Sequence, residues 1–135
     1  MMKRFLLIFV LSFALGGCFP NIGGNANLPK GTEYLKGGAV GGFPNLPFYE
    51  KAKVIETYGS SVGYGGSAIT DDEISKVVEF YNKNLSIAGW EFNLRQKETN
   101  YFVFNVNNSQ YQGLVIVNVA SDGKKTAITL SVSNR

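Results

Sequence analysis

The residue type best suited to chemistry is a thiol, and the 135-residue chain has one, Cys18. It follows Gly16, Gly17 and an apolar run over residues 5–15 that comes after a short basic start. A basic start, an apolar run too short to span a bilayer, and small residues at a cleavage position are typical of an export signal. A thiolate is a nucleophile that can take a lipid group. A single cysteine in an exported chain also has no intramolecular disulfide to form.

Residues 15–18, with the sequence Leu-Gly-Gly-Cys, resemble the lipobox of bacterial lipoproteins. The resemblance implies a signal peptide over residues 1–17, cleavage between Gly17 and Cys18, and a diacylglyceryl group on the Cys18 sulfur. Several acyl chains on one residue are enough for stable membrane anchoring. The implied location is the cell envelope, on the exported face of a membrane. Phe19 is not the aspartate of an inner-membrane retention signal, so we expect the outer membrane where the organism has one. An ordinary cleaved signal with an incidental cysteine is the alternative.

The rest of the chain predicts no catalytic residues, no metal site and no cofactor. It contains no histidine, which is the commonest general base and a common metal ligand. The acids Asp71, Asp72 and Glu73 are expected to stabilise a helix start, and they lack the ligand spacing of a calcium loop.

Two weaker chemical alternatives stay open. Glu56, Glu79 and Glu91 could pair in space as the acid and base of a glycan hydrolase, which requires two carboxylates about 5–9.5 Å apart. Residues 63–68, with the spacing Gly-x-Gly-x-x-Ala, match a loose dinucleotide fingerprint. The acids that follow this stretch oppose phosphate binding.

Composition limits the chain to one modest domain and disfavours nucleic acid as a partner. Without residues 1–17, the chain keeps 118 of its 135 residues, and 11 of its 13 basic residues stand against 10 acidic ones. That length suits one domain. No run of basic residues remains to bind an anionic polymer or an anionic membrane surface.

Residues 18–45 are rich in glycine, proline and asparagine and show no regular hydrophobic period. This composition predicts a lipid-anchored flexible linker, followed by a small domain over residues 46–135. The alternative is a short segment that docks on the domain or on a partner through Leu35, Ala39, Val40 and Phe43.

A helix is predicted over residues 71–88. Thr70 is a suitable N-cap, and Glu73 would complete a capping box. Gly89 suits the left-handed position after a helix, with Trp90 packing back on the last turn. One face of the predicted helix is apolar at helical spacing, and it comprises Ile74, Val77, Val78, Tyr81, Leu85 and Ala88.

Strand-like runs flank this helix, two before it and four after it. Each has alternating or continuous apolar residues bounded by turn residues. The predicted fold is therefore α+β, a single antiparallel sheet of about five or six strands with one helix packed on one face, in the order ββαββββ. The runs lie at residues 52–58, 62–68, 90–95, 101–106, 114–119 and 127–132.

Two segments resemble a domain of many uncharacterised bacterial lipoproteins and exported proteins. They are Leu46-Pro47-x-Tyr49-x-x-Ala52-x-Val54 and Val77-Val78-x-Phe80-Tyr81-x-x-x-Leu85-x-x-x-Gly89-Trp90. The resemblance covers residues 46–92 and departs at Glu50, where the family often has proline. It implies a fold and a compartment but no activity.

The expected function is that of a lipid-anchored, non-catalytic binding or structural module that contacts an envelope protein or glycan. The membrane contact is the lipid on Cys18. Tyrosines at an exposed sheet face could form the binding surface, and the candidates are Tyr58, Tyr64, Tyr101 and Tyr111. A small-ligand carrier or sensor, with an apolar pocket between helix and sheet, and the glycan hydrolase are the alternatives.

Overall fold

The computed structural model describes residues 32–135. The predicted signal peptide, Cys18 and the first part of the predicted linker lie outside the described residues. Within them, one helix packs on a single antiparallel sheet, which confirms the α+β class. The sheet has seven strands in the order β1-β2-β3-β7-β6-β5-β4. The elements are β1 Glu33–Lys36, β2 Lys53–Gly59, β3 Gly63–Thr70, α1 Ile74–Ile87, β4 Glu91–Glu98, β5 Tyr101–Asn107, β6 Tyr111–Val119 and β7 Thr126–Asn134.

The predicted count of five or six strands is too low because β1 lies in the stretch expected to be linker. All four residues of β1 are exposed, so they show no alternation of buried and exposed positions. The strand is held by its antiparallel pairing with β2, in which Tyr34 lies opposite Tyr58. Backbone pairing of this kind leaves no hydrophobic pattern in the sequence. Residues from Glu33 onwards therefore already belong to the sheet, well before residue 46.

The segment after β1 docks on the domain, as the alternative for this stretch predicted. Val40 and Leu46 are buried at 6% and 3% exposure, and Phe43 packs against the core. Trp90 Nε1 donates a hydrogen bond of 2.7 Å to the carbonyl oxygen of Asn45. Leu35 and Ala39, by contrast, are exposed, so only two of the four residues predicted to dock do so. Residues 37–48 therefore cover one part of the sheet, and the helix covers another part.

Thr57 fastens this segment to β2, and its replacement by valine is expected to destabilise the domain by about 2–3 kcal/mol. The Thr57 side chain is fully buried; its hydroxyl accepts from the Val40 amide at 2.9 Å and donates to the Gly38 carbonyl at 2.6 Å. Valine leaves both backbone groups without a partner. Urea denaturation of Thr57→Val and of the hydroxyl-retaining control Thr57→Ser measures the difference. Equal stability of Thr57→Val and wild type would contradict this role.

The helix begins three residues later than predicted, at Ile74, with Glu73 as its N-cap and no side-chain capping bond. The reason is that Thr70 belongs to β3, where it pairs with Thr126 of β7. The chain then bends at Asp72, whose carboxylate accepts a hydrogen bond from the Tyr49 hydroxyl. That bond raises the pKa of Tyr49 to about 12. Strand pairing of Thr70 in the sheet therefore takes precedence over its local preference for capping a helix.

The helix end follows the prediction. Gly89 has φ +90°, its amide donates to Ser86 O at 3.1 Å, and the Trp90 amide donates to Leu85 O at 3.0 Å. These two bonds define a Schellman motif. Trp90 and Leu85 are both in the buried core, so the residues that end the helix also pack in the core.

The core lies between α1 and one face of the sheet. The helix contributes Val77, Tyr81 and Leu85, all at 0% exposure. Burial raises the pKa of the Tyr81 phenol well above its ordinary value, and its hydroxyl has no hydrogen-bond partner within residues 32–135. The sheet side of this core comprises Ala68, Phe104, Val106, Val115, Val117, Ile128, Leu130 and Val132.

Candidate functional site

Within residues 32–135, no helix lies over the face of the sheet opposite α1, which is called the open face below. Its strands present alternate residues, as strand geometry requires. One row crosses four neighbouring strands and is polar throughout, because the register places Glu91 opposite Asn107, Asn107 opposite Gln112, and Gln112 opposite Ser133. The next row begins with Asn93 opposite Asn105 and continues to Leu114. The open face is therefore most polar at one end of β4, β5 and β6.

The four candidate tyrosines are divided between the two faces. Register places Tyr58 and Tyr101 on the open face, about four strand spacings or roughly 19 Å apart along the sheet. Tyr64 and Tyr111 lie on the helix side, where their rings meet edge to face at 6.0 Å. Tyr111 also lies 6.4 Å from the ring of Trp90. The structure thus brings two of the tyrosines together, inside an aromatic cluster of the covered face.

Two of these tyrosines instead explain one glycine on β2 and one glycine on β3. Tyr58 lies opposite Gly65, and Gly59 lies opposite Tyr64. A Cβ on Gly65 would overlap the Tyr58 ring, and a Cβ on Gly59 would lie 2.7 Å from the Tyr64 ring. Each aromatic ring therefore covers a glycine on the neighbouring strand. The Gly-x-Gly spacing lies within a paired strand and not in a loop at a helix start, so it forms no phosphate cradle.

The three candidate carboxylates lie on three separate elements. Glu56 accepts a hydrogen bond of 2.6 Å from the Tyr34 hydroxyl, which raises the pKa of Tyr34. Glu79 pairs with Lys83 at 2.8 Å on the exposed side of the helix, and this bond lowers the pKa of Glu79. Glu91 lies on β4, five strand spacings or about 24 Å from β2 along the sheet. These three residues do not face one another across a groove.

Two further features concern only residues 32–135. This part of the chain has no group of three or more histidine, cysteine, aspartate or glutamate residues able to hold a metal ion. Its one helix, of 14 residues, is too short and too polar to cross a membrane.

An open groove of about 640 Å³ lies over the polar end of the open face. We call it the amide groove, because asparagine and glutamine side chains form most of its polar wall. Asn105 Nδ2 donates a hydrogen bond of 3.0 Å to Asn93 Oδ1, which orients both amides. Its polar lining comprises Glu91, Asn93, Asn105, Asn107, Gln112, Ser133 and Arg135.

The amide groove contains hydrogen-bonding groups that the protein itself does not use. Within the described residues, the side-chain amides of Asn107 and Gln112 have no hydrogen-bond partner, and Glu91 has no ion pair. Arg135 at the rim donates from Nη1 to the Asn108 carbonyl at 3.0 Å. Its charged side chains are one carboxylate and one guanidinium, which have opposite charges.

No protein-family model, no curated protein and no solved structure matches this chain. The chemistry of the site therefore rests on its own geometry. An amide both donates and accepts hydrogen bonds, as does a hydroxyl group. A row of unengaged amides is suited to a neutral ligand with many hydroxyl groups.

Sequence reasoning missed these residues because no motif marks them. The available signal was the alternation of amides with apolar residues, as in Phe104-Asn105-Val106-Asn107 and Phe92-Asn93-Leu94. Period-2 alternation places these asparagines on one face. It does not tell which strands are neighbours, and the groove exists because β4, β5 and β6 are adjacent.

Proposed function

We propose that this protein is a lipid-anchored, non-catalytic binding module of the cell envelope and that its amide groove binds a glycan. The observation that supports the binding site is the polar row Glu91, Asn107, Gln112 and Ser133, which crosses four adjacent strands on an uncovered face. Three strand spacings make this row about 14 Å long, which is enough for a short oligosaccharide.

The composition of the groove favours a neutral, hydroxyl-rich polymer over an apolar or a charged ligand. Its apolar lining residues are Phe92 and Val106, which point to the helix side with the core. Its charged residues are one acid and one base. A small apolar ligand would require a space between helix and sheet, and there Val77, Tyr81 and Leu85 are packed with no exposed surface.

The non-catalytic part of the proposal is supported by the separation of the candidate carboxylates. Glycan hydrolysis requires two carboxyl groups about 5–9.5 Å apart, whereas Glu56 and Glu91 lie on strands about 24 Å apart along the sheet. Glu91 in the groove is then a hydrogen-bond acceptor for sugar hydroxyls, and not one member of an acid–base pair.

Replacing both Asn107 and Gln112 by alanine is expected to weaken glycan binding about tenfold. Two neutral hydrogen bonds at about 0.5–1.5 kcal/mol each are lost, and 1.4 kcal/mol corresponds to a factor of about ten. The measurement is co-sedimentation of the purified protein with insoluble cell-wall glycan over a range of glycan concentrations.

The matched control is Asn118→Ala, which removes an asparagine of the same open face on β6. Asn118 is outside the groove, and its amide donates to Val119 O at 3.0 Å. It should bind glycan as wild type does. The proposal fails if wild-type protein stays in the supernatant, or if the control and the double variant weaken binding equally.

A further inference from the structure

The exposed large apolar side chains of the described chain are concentrated at one edge of the sheet. Five of the eight lie on β1, on β2 or in the loop between β2 and β3, and the other three are scattered over α1, β4 and β6. We call the group the apolar edge. It comprises Tyr34, Leu35, Ile55, Tyr58 and Val62, which are exposed at 45%, 45%, 47%, 39% and 60%.

Tyr34, Tyr58 and Val62 are neighbours in the structure, whereas Leu35 lies opposite Thr57 on the other face of the sheet. Tyr34 lies opposite Tyr58 in the pairing of β1 with β2. Tyr58 and Val62 line one shallow pocket of about 200 Å³ together with Thr32, the residue that precedes β1. A contiguous exposed apolar surface of this kind marks a contact with a partner or a membrane.

The position of the apolar edge in the chain identifies the contact. β1 begins at Glu33, so only the 14 residues 19–32 separate this edge from Cys18. A flexible chain of 14 residues spans about 21 Å on average, from about 5.5 Å times the square root of its length. If Cys18 is lipidated, β1 is the part of the domain that the anchor holds closest to the bilayer.

We propose that the apolar edge rests on the lipid bilayer and holds the domain in one orientation on it. This inference depends on the proposed lipid anchor. Tyrosine rings with leucine, isoleucine and valine side chains suit the interface between headgroups and acyl chains. Lys36 and Lys53 near this edge are balanced by Glu33 and Glu56, so the contact depends on apolar area and not on anionic lipids.

In this orientation, the two sides of the sheet have different functions. The apolar edge is at β1 and β2, and the amide groove is built on β4, β5 and β6 at the other side of the sheet. With the apolar edge on the bilayer, the amide groove lies on the side of the domain away from the membrane and opens sideways, along the normal of the sheet. The proximal side of the domain then contacts lipid, and the distal side is free to reach a polymer.

A matched pair of leucines tests this orientation. Leu35 on β1 and Leu94 on β4 are exposed at 45% and 38% and lie on opposite outer strands. Six strand spacings, about 29 Å along the sheet, separate these strands. In the lipidated full-length protein, Leu35→Cys or Leu94→Cys supplies a free thiol for an environment-sensitive fluorophore, because the Cys18 sulfur carries the lipid. The labelled proteins are placed in phosphatidylcholine vesicles with and without spin-labelled lipid.

The fluorophore at position 35 is expected to shift its emission to shorter wavelength and to lose at least half of its intensity to the spin-labelled lipid, whereas position 94 changes little. Equal quenching at both positions overturns the proposal. An emission shift at position 35 that is already complete without vesicles also overturns it, because residues 19–31 or a second copy then cover the edge. Flotation of the vesicles distinguishes a failure of the proposed orientation from a failure of the proposed lipid anchor. Protein that floats without quenching at position 35 is anchored but not oriented. Protein that does not float lacks the lipid anchor.

Discussion

Gly113→Ala is expected to destabilise the domain by about 3 kcal/mol or more, since overpacking against backbone atoms is at the upper end of such effects. Gly113 lies on β6 directly opposite Val132 of β7. A Cβ at this position would overlap the carbonyl oxygen of Ser131 and lie 2.7 Å from the Cα of Val132. Backbone cannot move away as the tip of a side chain can, so the two strands would have to separate.

The same stretch of β7 is approached closely from its other side. A Cβ on Gly63 of β3 would overlap the carbonyl oxygen of Val132 and lie 3.0 Å from the Cα of Ser133. The end of β7 therefore lies between two glycines, one on each neighbouring strand. This stretch of the sheet also supplies Gln112 and Ser133 to the amide groove, so strand separation here would alter the groove as well as the stability.

The measurement for Gly113→Ala is urea or thermal denaturation followed by circular dichroism. For a domain of about 100 residues, 3 kcal/mol corresponds to a loss of about 12 °C or more in Tm. The control is Gly41→Ala, because a Cβ on Gly41 meets nothing within 4 Å; its effect should stay within about 0.5 kcal/mol. A Gly113→Ala protein within 1 kcal/mol of wild type would show that β6 and β7 are less closely packed here than in this structure.

Cys18→Ser is expected to move the protein from the membrane fraction to the soluble fraction, with the membrane-bound share falling about tenfold or more. Each buried methylene of an acyl chain contributes about 0.8 kcal/mol, and two or more chains make the anchoring stable. A serine hydroxyl does not replace the thiol as the acceptor of the diacylglyceryl group. Within residues 32–135 no helix could substitute by crossing the bilayer, and the apolar edge alone is a weak contact.

Cell fractionation with metabolic labelling by a radioactive fatty acid measures both the location and the modification. Ser12→Ala, which changes the leader but keeps its apolar character, is the control and should remain labelled and membrane-bound. Retention of Cys18→Ser in the membrane fraction, at wild-type level, would contradict the lipid anchor. Combined with the fluorophore experiment, this variant separates attachment from orientation.

The candidate binding site was the part least accessible from the sequence. The four tyrosines are candidates by residue type alone, whereas a strand alternates its residues between two faces. Tyr58 and Tyr64 are an even number of residues apart, but they lie on different strands, with the β2–β3 turn between them. Their faces were therefore decided by the register of that hairpin. The unengaged amides of Asn107 and Gln112 became a candidate site only when β5 and β6 were placed side by side.

The two ends of α1 show which structural features local sequence can predict. The end at Gly89 and Trp90 depends on a positive φ and on two bonds within the last turn, so residues close in sequence determine it. The start at Thr70 was predicted incorrectly, because β3 extends through that residue to pair with Thr126, 56 residues later. A local capping preference of about 1 kcal/mol does not outweigh continued strand pairing.

The sequence alone determined the α+β class, a single antiparallel sheet with one helix, and the closing turn of that helix, because all of these follow from periodicity and nearby residues. It also supports the expectation of a lipidated Cys18. Tertiary structure decided the seventh strand, the docking of residues 37–48, the position of each tyrosine, the amide groove and the apolar edge. Each of these depends on which strands are neighbours and in what register, and pairing between residues distant in sequence sets that arrangement.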